Sequence, residues 1–87
     1  MNNNNIAAIV SRGPNMQIRI LRPLPWLDDK NPWTLHLEMV RPNGIHGYIR
    51  CYQAATFDEA VALASKVLKE LIPSDATIEV EEFNDDK

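Results

Sequence analysis

Two alternating segments joined by a turn dominate the pattern of apolar and polar positions along this chain. Over residues 33–39 the apolar side chains occupy odd positions, and over residues 45–51 they do so again. Alternation with a period of two predicts half-buried strands. The sequence between them, Pro42-Asn43-Gly44, suits a three-residue hairpin loop with its glycine in the left-handed region. The pattern therefore predicts a β-hairpin.

The parity of the apolar positions also predicts the register of this hairpin. Both apolar sets face one side only if paired positions add to an even number, and a slip of one residue would bury the charged set. The four predicted pairs are Leu35–Cys51, His36–Arg50, Leu37–Ile49 and Glu38–Tyr48. In this register Cys51 is a small buried apolar residue.

The other segments predict two or three more strands. Residues 16–22 alternate, whereas the apolar run at 6–10 could be a first strand or a leader that packs on the domain. Residues 23–32 contain three prolines and form a loop. Residues 76–81 alternate as a final strand, with Ile78 and Val80 inward and Glu79 and Glu81 outward.

A helix is predicted between the hairpin and the final strand. Thr56 and Glu59 form a capping box at its start, and Pro73 stops it. Apolar residues follow helical spacing in between. They are Phe57, Ala60, Val61, Leu63, Ala64, Val67, Leu68 and Leu71.

The predicted fold class is α+β: an antiparallel sheet of four or five strands with one helix packed on one face, in the order β-β-β-α-β. It forms a single domain over residues 6–83, and residues 1–5 and 84–87 are flexible termini, because polar chain ends fray.

Composition narrows the classes of function. The 87 residues carry a net charge of −3, which disfavours non-specific binding to nucleic acid. The one cysteine permits no internal disulfide and favours a reducing compartment. The chain contains no apolar run of about 20 residues and no signal-peptide pattern, so a cytoplasmic location is expected.

The main candidate site is the sheet face that a single helix must leave uncovered. Tyrosine and arginine are the residue types that interface hot spots favour. The alternative is a solvated face held by cross-strand pairs such as Glu38 with Arg50. The predicted partner-binding residues of this face are His36, Glu38, Tyr48, Arg50 and Tyr52, with Gln17, Arg19, Thr34 and His46 beside them.

Two further features have alternative interpretations. Trp26, in the proline-rich loop, is either a cap on the core or a protruding anchor for a partner. The acidic final strand either imitates a phosphate backbone for a basic partner or is an edge strand charged against aggregation.

Catalytic, metal and nucleic-acid chemistry receive less support. In the predicted register Cys51 lies on the opposite face from His36 and His46, so no nucleophile–base pair forms. The two histidines lie roughly 13 Å apart at about 3.3 Å per residue, too far for one ion. We therefore expect no enzyme, no cofactor and no metal. A nucleic-acid-binding sheet that stacks bases on Tyr48 and Tyr52 is the alternative.

Residues 56–60, at the start of the predicted helix, read TFDEA, and Ala64 and Leu68 continue the helix. This start is similar to that of the small HicB-like antitoxin domains, where a T-x-x-E-A sequence follows the third strand. The proline-glycine turn that precedes the helix in that family is missing here. The resemblance implies an antitoxin-type domain.

The favoured hypothesis is a non-catalytic protein-binding module that acts as an inhibitor or adaptor. In its size, acidity and lack of catalytic motifs the chain resembles the small inhibitors of phages and mobile elements, such as anti-CRISPR proteins. The expected partner is a protein, with a homodimer left open and no membrane involved.

Overall fold

The described part of the chain forms one antiparallel five-stranded sheet with one helix, as predicted for the α+β class. The computed structural model describes residues 5–26, 28–44, 46–71 and 77–83. The elements are β1 (Ile6–Arg12), β2 (Met16–Leu21), β3 (Trp33–Val40), β4 (His46–Ala54), α1 (Phe57–Leu71) and β5 (Ile78–Glu82). The sheet order is β4-β3-β2-β1-β5. The run at residues 6–10 is therefore a strand, and it pairs on both sides.

Apolar and polar residues do not alternate along β1, because its pairing with β2 is irregular. Ile6 pairs with Leu21 and Ala8 pairs with Ile20, so the register shifts at Ala7. An extra residue in one strand changes which positions face the core. Ala7 and Ala8 are consequently both buried, and the sequence shows a continuous apolar run.

The helix begins at the predicted cap. The Glu59 backbone N–H donates to Thr56 Oγ1 at 3.1 Å, and the Ala60 N–H donates to the Thr56 carbonyl at 2.9 Å. These bonds satisfy two of the amides that a helix start leaves open. The predicted stop at Pro73 lies outside the described residues.

The core lies between α1 and the first four strands of the sequence. Alanine at positions 60 and 64 is fully buried, which lets the helix approach the sheet closely. The largest fully buried side chains, which form the centre of this layer, are Val10, Ile18, Ile20, Leu35 and Leu68.

The tryptophan that covers the end of the core is Trp33. Its ring packs against Phe57 with centroids 5.3 Å apart, at the point where β3 begins beside the helix start. Trp26 is 77% exposed, so its interpretation as a core cap is wrong. Trp26 lies in a turn within the proline-rich loop, before the start of β3.

The hairpin between β3 and β4 has the predicted turn. Gly44 has a φ of 85°, and its N–H donates to the Arg41 carbonyl at 2.8 Å. Next to this turn the predicted register holds, because Glu38 pairs with Tyr48 and Met39 with Gly47.

Further from the turn, a β-bulge at Ile49 shifts the register by one residue. The three pairs beyond it are Leu37–Arg50, His36–Cys51 and Leu35–Tyr52. The other three predicted pairs, Leu37–Ile49, His36–Arg50 and Leu35–Cys51, are therefore wrong. The physical reason is that one extra residue inverts the faces of everything that follows it.

The acidic strand β5 lies at one edge of the sheet and pairs with β1. Its Val80 was predicted to point inward but is 43% exposed, because α1 packs across β1 to β4. Arg22 ties this edge to the sheet: its guanidinium donates to the carbonyls of Ile6 and Phe83.

The predicted flexibility of the termini concerns residues that lie outside the description, except for Asn5. The Asn5 carbonyl accepts a hydrogen bond from the Arg22 N–H at 2.6 Å. Within the described part of the chain, α1 is too short and too polar to cross a membrane.

Candidate functional site

The side of the sheet without the helix, called the open face below, carries two rows of paired residues. The pairing of the five strands fixes both rows. The first row is Tyr48, Glu38, Gln17, Ser11 and Glu79. The second row is Cys51, His36, Arg19, Ile9 and Glu81.

The centre of the open face is a buried carboxylate. Glu38 is 7% exposed, and its Oε1 accepts hydrogen bonds from Gln17 Nε2 at 3.0 Å and from Arg19 Nε at 3.1 Å. The Arg19 contact is also an ion pair. Hydrogen bonds that involve ionised groups are stronger than neutral ones. These contacts therefore fix a polar platform across β2 and β3.

Tyr48 projects from this platform. Its ring meets the His36 imidazole edge to face, with centroids 5.3 Å apart and planes at 87°. Such T-shaped contacts are favourable arrangements for aromatic pairs. The Tyr48 side chain nevertheless remains 61% exposed. The result is an aromatic side chain that is oriented by its neighbour and open to a partner.

Cys51 adjoins the same ring. Loss of solvation raises the pKa of the Tyr48 phenol above its ordinary value of 10.0, and the negative charge of Cys51 and a hydrogen bond with it raise the pKa further. Cys51 is exposed, with its Sγ 3.7 Å from the Tyr52 carbonyl oxygen. The prediction that Cys51 is buried is therefore wrong, and the bulge at Ile49 is the cause.

The structure brings together only part of the predicted site. His36, Glu38 and Tyr48 share the open face, as the sequence analysis predicts. Arg50 is paired with the core residue Leu37, which assigns it to the helix side of the sheet. Tyr52 is partly buried against the core. Their predicted places on the open face are wrong.

Trp26 lies apart from the open-face rows, in the loop between β2 and β3. Within that loop the Asn31 N–H donates to Asp29 Oδ1 at 3.0 Å, a local turn contact. The Trp26 side chain in this loop is exposed to solvent. The His46 side chain, which was predicted for the open face, lies outside the description.

Sequence reasoning missed Cys51 as an open-face residue. A signal was present, because Tyr52 and Ala54 are apolar at even positions on either side of the polar Gln53. This reverses the odd-position pattern that precedes it. Such a change of phase within one strand indicates a bulge.

The observed register removes the geometric argument against a contact between Cys51 and His36, since the two residues are directly paired. The described contact of the His36 ring is with Tyr48. A metal site needs more ligands than this pair. Across the described ranges no group of three or more His, Cys, Asp or Glu side chains could hold an ion.

Comparisons with protein-family models, with curated proteins and with solved structures find no match to this chain. The geometry of the open face is therefore the basis for any functional assignment.

Proposed function

We propose that the protein is a non-catalytic binding module that docks a protein partner through the open face, with Tyr48 as the central contact. The observation that carries this proposal is that Tyr48 is 61% exposed while its ring is held edge to face by His36. An exposed aromatic residue with a fixed orientation is the kind of anchor on which protein interfaces depend.

The network beneath Tyr48 supports this role. Binding costs free energy when side chains must be ordered or when polar groups lose water without gaining partners. Glu38 is already buried, with hydrogen bonds from Gln17 and Arg19. A partner that covers this platform therefore encounters a carboxylate whose loss of water has already been compensated.

Charge and register favour a protein over a nucleic acid as the partner. The chain carries a net charge of −3, which repels a phosphate backbone. Tyr48 and Tyr52 lie on opposite sides of the sheet. They therefore do not form one surface on which two bases could stack, as the nucleic-acid hypothesis requires.

The biological setting is part of the same proposal. We assign the protein to the cytoplasm as an inhibitor or adaptor of the phage or mobile-element type. Its one free cysteine is exposed, and an exposed thiol is best preserved in a reducing compartment.

The test is capture of a partner from a lysate of the source organism on immobilised wild-type protein and on two variants. Tyr48→Ala removes the proposed anchor. Arg50→Ala, in the same strand but on the helix side, is the matched control. We expect one stoichiometric protein to bind the wild type and the control.

Tyr48→Ala should weaken the affinity for that protein by at least about 30-fold, the loss typical of a hot spot. Equal affinity of Tyr48→Ala and the wild type would contradict docking through the open face. Capture of nucleic acid in place of a protein would contradict the charge argument.

A further inference from the structure

A thiol and an imidazole lie side by side on the open face. His36 of β3 is directly paired with Cys51 of β4, and the bulge at Ile49 brings both to the same side of the sheet. Directly opposed residues have Cβ atoms about 4.5–5.5 Å apart, so one ion can contact both side chains. Thiolate sulfur and imidazole nitrogen are the usual ligands of structural zinc. The pair therefore supplies two of the four ligands of a tetrahedral site.

Tyr48 contacts both of these ligands. Its ring meets the His36 imidazole edge to face, with centroids 5.3 Å apart, and its phenol shares a hydrogen bond with Cys51. Groups that contact metal ligands fix their orientation and tune the affinity for the ion. Cys51 is exposed and His36 is partly exposed, so an ion can reach the pair from solvent.

The remaining ligands do not come from the same chain, as far as the structure describes it. The carboxylate of β3, Glu38, already accepts hydrogen bonds from Gln17 and Arg19. Over the described ranges no group of three or more His, Cys, Asp or Glu side chains could hold an ion. Two ligand positions of an ion bound to His36 and Cys51 therefore face away from the sheet.

A second copy of this chain can fill these two positions. A two-fold axis through the ion repeats the pair, and two thiolates with two imidazoles form the Cys₂His₂ set of many structural zinc sites. The two thiolates also balance the double positive charge of the ion. Sheets that pack face to face lie about 10 Å apart, which places an ion on the axis about 5 Å from each sheet. Cysteine and histidine side chains can span this distance.

The location of the pair within the sheet keeps the acidic edges of two copies apart. His36 and Cys51 lie on β3 and β4, at one end of the strand order β4-β3-β2-β1-β5. With the two-fold axis parallel to the strands, the two sheets overlap at β3 and β4, and each β5 points away from the other. Two strands from each copy form an interface below the standard size, so the dimer depends on the ion.

We propose that Zn²⁺ binds His36 and Cys51 of two copies of this chain and links them into a dimer through the open face. This site does not depend on the proposed function, because purified protein alone tests it. The dimer covers the surface beside Tyr48, so bound zinc and a protein partner compete for the open face.

Sedimentation and metal analysis of reduced, metal-free protein without an affinity tag test this site. One Zn²⁺ per two chains should convert a species of one chain, 9.9 kDa, into one of twice that mass, and a chelator should reverse the change. Co²⁺ in place of Zn²⁺ should give the absorption bands of a tetrahedral ion with thiolate ligands.

Variants identify the ligands. Cys51→Ser and His36→Ala should each prevent the dimer and weaken zinc binding by more than about 100-fold, the upper range for loss of a group that only supports a ligand. His46→Ala is the matched control. It replaces the other histidine of the chain, which is paired with Val40 rather than with a residue of the site, and it should behave as wild type.

The other outcomes overturn the proposal. One ion bound per monomer would mean that no second copy contributes ligands. Zinc-dependent dimers that persist in Cys51→Ser would place the ion elsewhere on the surface, and a wild type that binds no zinc would leave the pair without this role. Circular dichroism of each variant establishes that the fold is intact in these comparisons.

Discussion

His36 and Cys51 lie directly opposite each other on β3 and β4, on the sheet face that has no helix. Simple alternation places these two residues on opposite faces. One additional residue, Ile49, brings them together, because a bulge inverts the orientation of the strand beyond it. The chemical character of the open face therefore depends on a single position in β4.

The accessibility of Cys51 is the direct test of this register. We expect the thiol to react fully with a disulfide reagent in the native protein, because its side chain is exposed. The measurement is labelling stoichiometry and rate with and without denaturant, with Cys51→Ser as the blank. Labelling that requires denaturant would show that the strand lacks the bulge.

Replacement of the buried carboxylate should be costly. Glu38→Gln removes the charge that Arg19 and Gln17 contact at 3.1 and 3.0 Å, so the free energy of unfolding should fall by about 1–3 kcal/mol. Urea denaturation measures the change. Glu79→Gln, in the same row but exposed, is the control and should remain within about 0.5 kcal/mol.

The phenol of Tyr48 should titrate above its ordinary pKa of 10.0, because lost solvation and the neighbouring Cys51 both favour the protonated form. Absorbance at alkaline pH measures this in a Tyr52→Phe background. Cys51→Ala should lower the pKa toward 10.0; an unchanged midpoint would mean that the thiol does not act on the phenol.

The sign of the linked stability change follows from the same shift. The folded protein holds this phenolic proton more tightly than the unfolded chain does. The free energy of unfolding therefore falls as pH rises from the ordinary pKa through the raised one.

The two tryptophans should differ in stability and fluorescence. Trp26→Ala should change the free energy of unfolding by no more than about 0.5 kcal/mol, since the side chain is 77% exposed. Trp33→Ala should lower it by roughly 2–3 kcal/mol, below the range for a fully buried tryptophan, because the contact with Phe57 is lost.

Iodide quenching provides an independent measurement of the same difference. Iodide should quench the emission that remains in Trp33→Phe more strongly than the emission that remains in Trp26→Phe. Equal quenching would contradict the assignment of Trp33, rather than Trp26, as the residue that covers the core.

The sequence predicts those features that local chemistry determines. The cap at Thr56 and the left-handed turn at Gly44 depend on a few neighbouring residues, and both are confirmed. The edge position of the acidic strand also agrees with its charge. For the cap and the turn, the residue types have one favourable local conformation, so these two predictions do not depend on distant parts of the chain.

The faces of β4 could not be predicted in the same way. Ile49 and Cys51 support one phase of alternation, and Tyr52 and Ala54 support the other. Packing against the helix and against Leu35 decides which of these residues face the core. Both lie elsewhere in the sequence. The same holds for Trp26, within the loop between β2 and β3, and Trp33, at the start of β3. Packing against Phe57 decides which of the two covers the core.

The pairing of β1 with β5 joins the first and the last of the described strands, with Ala8 opposite Glu82. Contacts this distant along a chain form late in folding, because a long loop must close first. During synthesis, one edge of β1 therefore has no partner strand until residues 78–82 have emerged from the ribosome. We expect a nascent chain that stalls before this point to leave one edge of β1 unpaired, and an unpaired strand edge is a site for aggregation.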